Sequence, residues 1–439
     1  MLTLKQKTML GDVPSDWGFE PLGRLLAGHF PGDWGDERGS NMVRVLRSTN
    51  LTDDGRLDLH DVALRALSPN KCVVLAPRKN DILLERSGGG PDQPVGRIGF
   101  IEDDMPGHAF SNFLQLLRPD PAKIHPRLLG WMLYWINRTG RVLRLEQQTT
   151  QMRNLNFRDY LTTPLPLPPP DEQVPIVRTL DSVDKLIECT KIAHRRAVKL
   201  RDALINASIS RGTRGETQKK SDAGLIPSSW SCEDLGEHIV DGPTNGIYRP
   251  ESDYGNFGAP ILRIDSFDDG YIHAVSELRR VNVNEAILRR YELKERDVVI
   301  NRVNSLSHIG KSTIVPKLAE PTLFESNMMK LRCSARLRSD FLIVVLCSDV
   351  ARKHWLSRAK PAVNQASINQ RDVRELPVPI PSGEEQELIA HVVAGVRAQI
   401  EELDALLAEQ QLLGRSLMND LLNGRVRVNS TYPESVGTA

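Results

Sequence analysis

Residues 86–97 combine three consecutive glycines with cationic and amide side chains. Because glycine has no Cβ, the backbone at 88–90 can come close to an anionic group such as a phosphate. Arginine and glutamine in the same stretch could reach phosphates or the edges of nucleic-acid bases. No Gly-Lys-Ser/Thr follows, which argues against a nucleotide-binding P-loop, and an ordinary surface loop remains the alternative. The candidate contact residues are Arg86, Ser87, Gly88, Gly89, Gln93 and Arg97.

A second stretch at 301–311 occupies the corresponding place in the second half of the chain, since 296–302 line up with 80–86. It shares the strand-then-loop frame of the first stretch but presents different side chains. Two modules that read different sequences would need such a difference. Its candidate contact residues are Arg302, Asn304, Ser305, His308 and Lys311.

Two polar stretches, at 147–159 and 360–372, each follow a helical pattern. Their amide and hydroxyl groups both donate and accept hydrogen bonds, as contacts to adenine or guanine in a major groove require. Solvated loops have the same composition, so that alternative stays open. The candidates are Gln148, Thr149, Gln151, Arg153 and Asn154 in the first stretch, and Lys360, Asn364 and Gln365 in the second.

A third candidate stretch at 241–249 contains Thr244, Tyr248 and Arg249. A hydroxyl, an aromatic ring and a guanidinium in one turn could contact a nucleic-acid strand. The alternative is that Tyr248 and Arg249 pack the edge of a domain.

No catalytic motif accompanies these stretches. The sequence has neither a Walker A motif nor a nucleophile elbow, and no Asn/Asp-Pro-Pro-aromatic motif of a DNA methyltransferase. The ten histidines form no HExxH pair, and the five cysteines are scattered without a CxxC spacing. We therefore predict that the chain is not an enzyme and holds no cofactor or metal of its own.

Two long helical patterns must position the polar stretches. Each helical pattern follows a proline-rich strap. Strap and helical pattern together run over 164–212 and 377–425. Apolar residues recur at alternating steps of three and four, which predicts a coiled-coil seam. The expected seam residues are Val183, Leu186, Thr190, Ala193, Ala197, Leu200 and Leu204 in the first helix, and Val396, Gln399, Leu403, Leu406, Gln410, Leu413 and Leu417 in the second.

The charges of the two helices are complementary. Residues 191–220 hold nine Lys/Arg against two Asp/Glu, whereas 399–410 hold acidic residues and no basic one. Opposite charges beside a seam select a partner, so we expect an intramolecular antiparallel coiled coil. The basic run from Arg195 to Lys220 has three interpretations: it pairs with the acidic helix, forms a solvated face, or meets nucleic-acid phosphates.

The duplication extends through the whole chain. Residues 13–17 (VPSDW) are matched by 226–230 (IPSSW), and each half passes from strand-like runs to a helical pattern. The predicted fold class is α+β, with two mixed α/β modules alternating with two long helices. The predicted segments are a first module at 1–165, a helix at 166–212, an exposed linker at 213–225, a second module at 226–378, a helix at 379–425 and a tail at 426–439.

Bulk properties limit the location of the protein and of its sites. The formal net charge of the 439 residues is +1, so any nucleic-acid site must be a local basic surface. Scattered cysteines favour free thiols in a reducing compartment. The first residues lack the apolar core of a signal peptide, and no run of eighteen apolar residues occurs. We expect a soluble cytoplasmic protein with no membrane contact.

These residues together resemble the specificity subunit of type I restriction-modification systems. The resemblance rests on an ordered set that occurs twice: the IPSSW-type opening, the glycine-punctuated stretch, and the closing run RNLNFRD…PLPLPPPDEQ with its long helix. It implies two target-recognition domains that each read one half of a bipartite double-stranded DNA target. It also implies docking of two modification (methyltransferase) subunits on the helices, and of restriction (ATP-dependent nuclease) subunits where the system has them. S-adenosylmethionine, ATP and Mg²⁺ would then bind those partners.

Two other classes of function compete with this interpretation. The first is a coiled-coil protein–protein adaptor without DNA specificity, whose seam would pair between two chains. The second is a stand-alone DNA-modifying enzyme, which the missing cofactor motifs disfavour.

Overall fold

The computed structural model of the chain describes residues 4–90, 93–148, 152–268, 270–272, 275–362 and 365–428. The chain divides into two units. Unit 1 comprises Met1–Cys189 and Leu406–Ala439, and unit 2 comprises Thr190–Ala405. Each unit therefore contains one of the two predicted modules together with a part of each long helix.

Helices and strands are mixed through both units, as the sequence predicts. The helices are α1 Pro69–Leu75, α2 Pro126–Arg138, α3 Phe157–Leu161, α4 Pro170–Arg211, α5 Glu285–Tyr291, α6 Ser339–Leu346, α7 Asp349–Arg358, α8 Gln370–Arg374 and α9 Gly383–Leu422. The two long ones, α4 and α9, have 42 and 40 residues. At 1.5 Å per residue each is a rod of about 60 Å.

The strands of unit 1 are short and largely antiparallel. They are β1 Leu4–Thr8, β2 Gly11–Pro14, β3 Gly18–Pro21, β4 Leu26–Pro31, β5 Met42–Leu46, β6 Ala63–Ala66, β7 Ile82–Glu85, β8 Ser87–Gly88, β9 Ile98–Phe100, β10 His108–Phe110, β11 Leu114–Pro119, β12 Glu146–Gln148, β13 Arg153–Leu155 and β14 Pro164–Leu167. The central sheet has the order β4-β11-β7-β9, and β10-β5-β6 form a second sheet.

Unit 2 repeats this plan. Its strands are β15 Gln218–Ser221, β16 Gly224–Pro227, β17 Ser231–Asp234, β18 Ile239–Asn245, β19 Tyr254–Gly255, β20 Ala259–Leu262, β21 Phe267–Asp268, β22 Tyr271–Ile272, β23 Arg280–Val281, β24 Val298–Asn301, β25 Val303–Asn304, β26 Ser312–Ile314, β27 Leu323–Phe324, β28 Met328–Cys333, β29 Lys360–Ala362, β30 Gln365–Ser367 and β31 Pro377–Ile380. The central sheet is β18-β28-β24-β26, in the same order as its counterpart.

Matching details of the backbone confirm the duplication. Asn80 and Arg296 occupy corresponding places before the central strands β7 and β24, and both have left-handed backbones, with φ of 72° and 68°. The next residue in each unit is a buried aspartate, Asp81 or Asp297, that accepts hydrogen bonds from an arginine of β11 or β28 at 2.7 and 2.6 Å. The two modules therefore share one backbone frame.

The core of each module lies between the central sheet and the helix that follows it. Ile82 and Leu84 of β7 belong to the same buried cluster as Met132 of α2, and Val298 of β24 to the same cluster as Phe341 of α6. Three tryptophans are buried in these cores: Trp131, Trp135 and Trp355.

The proline-rich straps are strands, which shortens the predicted helices at their starts. Strand β14 pairs with β3, and β31 pairs with β17. Prolines alternate with apolar residues at Pro164 and Pro166, and again at Pro377 and Pro379. Because proline has no N–H to donate, this alternation suits the edge of a two-stranded ribbon. The helices begin only after these strands, at Pro170 and Gly383.

In unit 1 the end of α9 is anchored on the module's opening tryptophan. Gly424 has a φ of +64°, and a Cβ there would lie 2.9 Å from Cζ2 of Trp17. Arg427 then donates from Nε to Glu172 of α4 at 2.8 Å and from Nη1 to Asp16 at 3.0 Å. Hydrogen bonds to Asp16 and Glu172 raise the pKa of the Arg427 guanidinium, and Arg427 lowers the pKa of Asp16.

Unit 2 has the same anchor, formed by the end of α4. Gly212 has a φ of +59°, and a Cβ there would lie 3.2 Å from Cζ2 of Trp230. Glu385 of α9 accepts from Nε1 of Trp230 at 3.1 Å and from the backbone N of Thr213 at 2.9 Å. Glu172 and Glu385, acidic residues at the starts of α4 and α9, therefore hold these anchors through specific contacts.

The positions predicted for the seam are buried or half-buried at alternate places and exposed at the places between them. The leucines assigned to it are substantially exposed: Leu186 by 50%, Leu200 by 58%, Leu406 by 42% and Leu413 by 51%. The inward positions are the following residues, namely Ile187, His194, Arg201, Leu407 and Gly414. Several of these residues are polar or lack a side chain. The apolar pattern of the sequence therefore points to the neighbouring leucines instead.

Within each unit the two long helices contact each other. In unit 1 a Cβ at Gly414 would lie 3.4 Å from Val183 and Ile187, so the helices approach closely there. In unit 2 the His194 ring lies 3.0 Å from a carboxylate oxygen of Asp404.

The predicted linker at 213–225 is partly ordered as a hairpin. Strands β15 and β16 pair from Gln218 to Pro227, as β1 and β2 do before the first module. Composition suggested an exposed hinge because lysines and small polar residues dominate it, and the lysines Lys219 and Lys220 are indeed exposed on the hairpin.

Candidate nucleic-acid interface

In unit 1 the two predicted polar stretches come together in one small sheet. Strand β13 pairs on one side with β12 and on the other with β8, so that Asn154 lies opposite Ser87. The Ser87 hydroxyl donates to Oδ1 of Asn154 at 2.7 Å. Residues that are far apart in the sequence therefore form a single polar surface.

Unit 2 contains the same three-stranded arrangement, with the order β25-β30-β29. Asn304 of β25 pairs with Ala366, and Lys360 of β29 pairs with Ser367. Lys360 and Gln365 are exposed. The frame is the same as in unit 1, but the side chains on it differ.

The arginines at the start of each stretch are held by the module. Arg86 donates from Nη1 to Gln115 at 3.1 Å, and its guanidinium lies 5.2 Å from the centre of the Phe157 ring. Arg302, its counterpart, donates from Nη1 to the carbonyl of Ser326 at 3.2 Å. Both are partly exposed at the edge of the polar sheet.

Arg97 is enclosed rather than exposed. Its Nε and Nη2 donate to the Glu85 carboxylate at 2.9 and 3.0 Å, and Nη1 and Nη2 also donate to backbone carbonyls of Leu51 and Ser48. The hydrogen bonds to Glu85 raise the pKa of Arg97. Lys311 holds the equivalent place in unit 2 and contacts Asp268 at 2.5 Å. Both cations therefore have protein partners.

Other candidates of unit 1 form local contacts around the sheet. Arg153 donates to Glu146 at 3.1 Å, and Gln93 donates to Asp53 at 3.2 Å. Gly88 and Gly89 have φ of 130° and 67°, a left-handed backbone that other residues rarely adopt. The glycines thus shape the turn that follows β8.

The loop after β25 is organised around a histidine. The Nδ1 of His308 lies 2.9 Å from the Ser305 hydroxyl and 2.8 Å from that of Ser307. Asn304 accepts from the backbone N of Ser305 at 2.8 Å. The ring and the hydroxyls are at the surface, where they could donate or accept.

The third candidate stretch lies beside this loop. The backbone N of Ser326 donates to the carbonyl of Ile247 at 2.9 Å, and Ser326 also receives the Arg302 bond described above. Tyr248 is 76% exposed, and Thr244 is exposed on β18. Arg249 lies 3.5 Å from Asp253. The three stretches of unit 2 therefore form neighbouring parts of one face.

Some predicted contact residues lie outside the described part of the chain. These are Thr149, Gln151 and Asn364. Gln148 lies on β12, opposite Arg153.

The sequence reasoning missed the unit 1 counterpart of the third stretch. The backbone N of Gly32 donates to the carbonyl of Leu114, the first residue of β11. In the same way, the backbone N of Gly246 donates to the carbonyl of Met328, the first residue of β28. Trp34 therefore corresponds to Tyr248, and the Arg65 guanidinium lies 4.6 Å from the centre of its ring. A glycine followed two residues later by an aromatic residue in both halves was the available signal.

No group of three or more His, Cys, Asp or Glu side chains in the described part of the chain could hold a metal ion. Among the described helices, none has the length and apolar character needed to span a membrane.

The structure thus defines a class of protein: a duplicated scaffold whose two modules share a frame and present different polar surfaces. The family model of the type I restriction modification DNA specificity domain matches residues 58–199 and 251–409, more than half of the chain. The chain belongs to this family, and its role is DNA sequence specificity in a type I restriction-modification complex.

Individual relatives agree over nearly the full length. The chain is 25% identical over 431 residues to the type I restriction enzyme MjaVIII specificity subunit of Methanocaldococcus jannaschii, covering 95% of each chain. It is 25% identical over 408 residues to the StySPI specificity subunit of Salmonella potsdam, covering 90% of this chain and 85% of that one. The crystal structure of the S subunit from M. genitalium shares the fold, with a TM-score of 0.56, 15% identity and coverage of 92% and 96%.

Proposed function

We propose that each module reads one half of a bipartite double-stranded DNA target. The observation that carries this proposal is the three-stranded polar sheet, which occurs once in each unit on the same frame with different side chains. Phosphate contacts would supply affinity, and amide and hydroxyl groups on this sheet would read base edges. Two different sheets would give two different half-sites.

The long helices act in this proposal as the spacer between the half-sites. We propose that α4 and α9 pair along their length as an intramolecular antiparallel coiled coil. Support comes from the approach of Gly414 to Val183 and Ile187 in unit 1, and from the His194–Asp404 contact in unit 2. The separation of the half-sites would then follow from helix length.

Two modification subunits would dock on the outer faces of these helices. Large apolar side chains that are exposed in groups mark interaction surfaces in soluble proteins. Such groups are present on the helices of each unit. They are Leu186, Leu406, Leu412 and Leu413 in unit 1, and Leu200, Leu388 and Val392 in unit 2.

Methyl transfer and DNA cleavage belong in this proposal to the partner subunits. S-adenosylmethionine would bind the modification subunits, and ATP and Mg²⁺ would serve the restriction subunits where they are present. The complex would work in the cytoplasm, where the chromosome is accessible. The adaptor alternative, without DNA specificity, is not supported by the family assignment.

Sequencing that detects methylated bases, applied to the host and to a strain lacking this gene, tests the proposal. We expect a bipartite methylated motif that disappears on deletion. Exchanging residues 360–367 for another sequence should change one half-site and leave the other unchanged. Loss or change of both half-sites together would contradict independent reading by the two modules.

A further inference from the structure

An open groove lies beside the polar sheet of unit 2, between the end of β18 and helix α5. Its volume is about 400 Å³. The residues that line it include Tyr248, Arg249, Ile287, Arg290 and Tyr291. Two aromatic rings and two guanidinium groups therefore border one depression in the surface.

The charges around the groove leave Arg290 fully available to a ligand and Arg249 partly available. Arg249 faces Asp253 at 3.5 Å, so its charge is partly balanced. Arg289, the preceding residue of the same helix, pairs with Glu285 and does not line the groove. Arg290 is exposed and lies 5.4 Å from the centre of the Tyr291 ring. Within the described residues Arg290 forms no ion pair, and it borders the groove.

The shape and lining of the groove favour an extended anion over a compact ligand. A site for a small molecule usually encloses most of its ligand, whereas this groove is open to solvent. Arginine is suited to phosphate because its planar fork can donate two hydrogen bonds. The exposed ring of Tyr248 offers a flat surface for a sugar or a base. A sugar-phosphate strand combines all of these features.

Hydrogen bonds connect the groove residue Ile247 to the first strand of the polar sheet. Ile247, which precedes Tyr248, accepts a hydrogen bond from Ser326, and Arg302 donates to the carbonyl of the same serine. The neighbouring Asn327 accepts from the backbone of Val303, the first residue of β25. A DNA strand lying on the polar sheet would therefore pass close to the groove.

We propose that this groove binds the sugar-phosphate backbone of the DNA strand next to the second half-site. In this arrangement Arg290 and Arg249 contact phosphates, and Tyr248 packs against a sugar. The assignment rests on the proposed function, since it takes DNA as the ligand of the adjoining sheet. Its contribution is to affinity and positioning, because phosphate contacts carry no direct sequence information.

Unit 1 lacks the same chemistry at the corresponding place. Helix α1 has the same length as α5 and packs, like α5, beside a strand that pairs in parallel within its sheet. Val74 occupies the position of Arg290 and is 52% exposed. Asp33, in the position of Ile247, pairs with Lys71. The position of Arg290 therefore carries a cation in unit 2 and an apolar side chain in unit 1, so we expect this phosphate contact in unit 2.

The salt dependence of DNA binding tests this proposal. Duplexes selected from a random library by the full-length chain provide the probe. Each neutralised phosphate lowers log K by about 0.9 per tenfold rise in salt, so two contacts change affinity by about 12-fold between about 50 and 200 mM salt. We expect Arg249→Ala with Arg290→Ala to remove that 12-fold dependence and to weaken binding to all sequences alike. Tyr248→Ala should weaken binding without changing the salt slope.

Arg289→Ala is the matched control, because it removes one charge from the same helix but outside the groove. It should leave the salt slope close to that of the parent chain. If the double variant keeps the parent slope, or if Arg289→Ala changes it equally, the groove proposal is wrong while DNA recognition stands. If the library yields no enriched sequence with the parent chain, the proposed function itself fails.

Discussion

Replacing Arg97 by alanine should destabilise unit 1 before it affects DNA contacts directly. The Arg97 side chain is 13% exposed and the Glu85 carboxylate 1%. Removing Arg97 would leave that carboxylate buried without its two hydrogen bonds. Breaking a buried ion pair by removing one partner costs about 3–5 kcal/mol. Because whole domains are stable by about 5–15 kcal/mol, this single change should remove a large part of the stability of the module.

Urea unfolding followed by circular dichroism measures the loss. Arg97→Lys is the matched control, because a lysine, Lys311, occupies the equivalent place in unit 2. The carbonyl of Lys311 accepts from the backbone N of Asn301, as the carbonyl of Arg97 accepts from that of Glu85. Lysine keeps the charge but loses the fork, so we expect a smaller loss of about 1.5–3 kcal/mol. DNA affinity should be measured at a temperature where each variant is folded. An alanine variant that unfolds at the parent's urea concentration yet loses DNA affinity would refute the reasoning and make Arg97 a direct contact.

Three further predictions concern the helices. Gly414→Ala should raise the urea midpoint of unfolding, because alanine is favoured over glycine in a helix by about 1 kcal/mol and its Cβ would lie at ordinary contact distance from α4. Gly414→Leu should lower the midpoint, because the larger side chain would overpack the contact with α4. Arg427→Ala should lower the melting temperature at pH 7, since it breaks the contacts to Glu172 and Asp16. The pKa of Asp16 is lowered in the folded state, so its contribution to stability is present above about pH 4 and disappears as the pH falls through that lowered pKa. The melting temperatures of the parent and the variant should therefore converge in acid. Deleting seven residues from each long helix should shorten the untouched spacer between the half-sites, and an unchanged spacer in the methylated motif would contradict its assignment to helix length.

The elements that repeat in the sequence were the predictable ones. The two long helices were visible because apolar residues recur at steps of three and four over about forty residues in each, and their observed starts lie four residues inside the helices predicted at 166–212 and 379–425. The tryptophans Trp17 and Trp230 marked the same point in both modules. Repetition could not show which long helix ends at each tryptophan. Trp17 contacts Gly424, far away in the chain, whereas Trp230 contacts the nearby Gly212.

The polar sheets were beyond sequence reasoning for a different physical reason. Strand β8 has two residues and β13 has three, too few to show the alternation that identifies a strand. Their pairing depends on backbone hydrogen bonds, such as that from the backbone of Leu155 to the carbonyl of Arg86. A different limit applies to the long helices. His194 and Gly414 occupy inward positions, and a pattern of apolar residues does not mark a histidine or a glycine.

The two modules differ most where side chains are not needed to hold the frame. Glu85 and Asn301 occupy the same buried position, and each carbonyl accepts from the glycine before β9 or β26, at 3.0 and 2.9 Å. Glu85 pairs with Arg97, whereas neither side-chain polar atom of Asn301 has a partner within the described residues. The backbone bonds survive this exchange, so the frame does not depend on the charge pair. By contrast, a tryptophan that contacts a left-handed glycine recurs at the end of a long helix in both units, where a Cβ on the glycine would lie 2.9 Å from Trp17 and 3.2 Å from Trp230. A duplicated protein built this way can change what each module reads without changing how the modules are held.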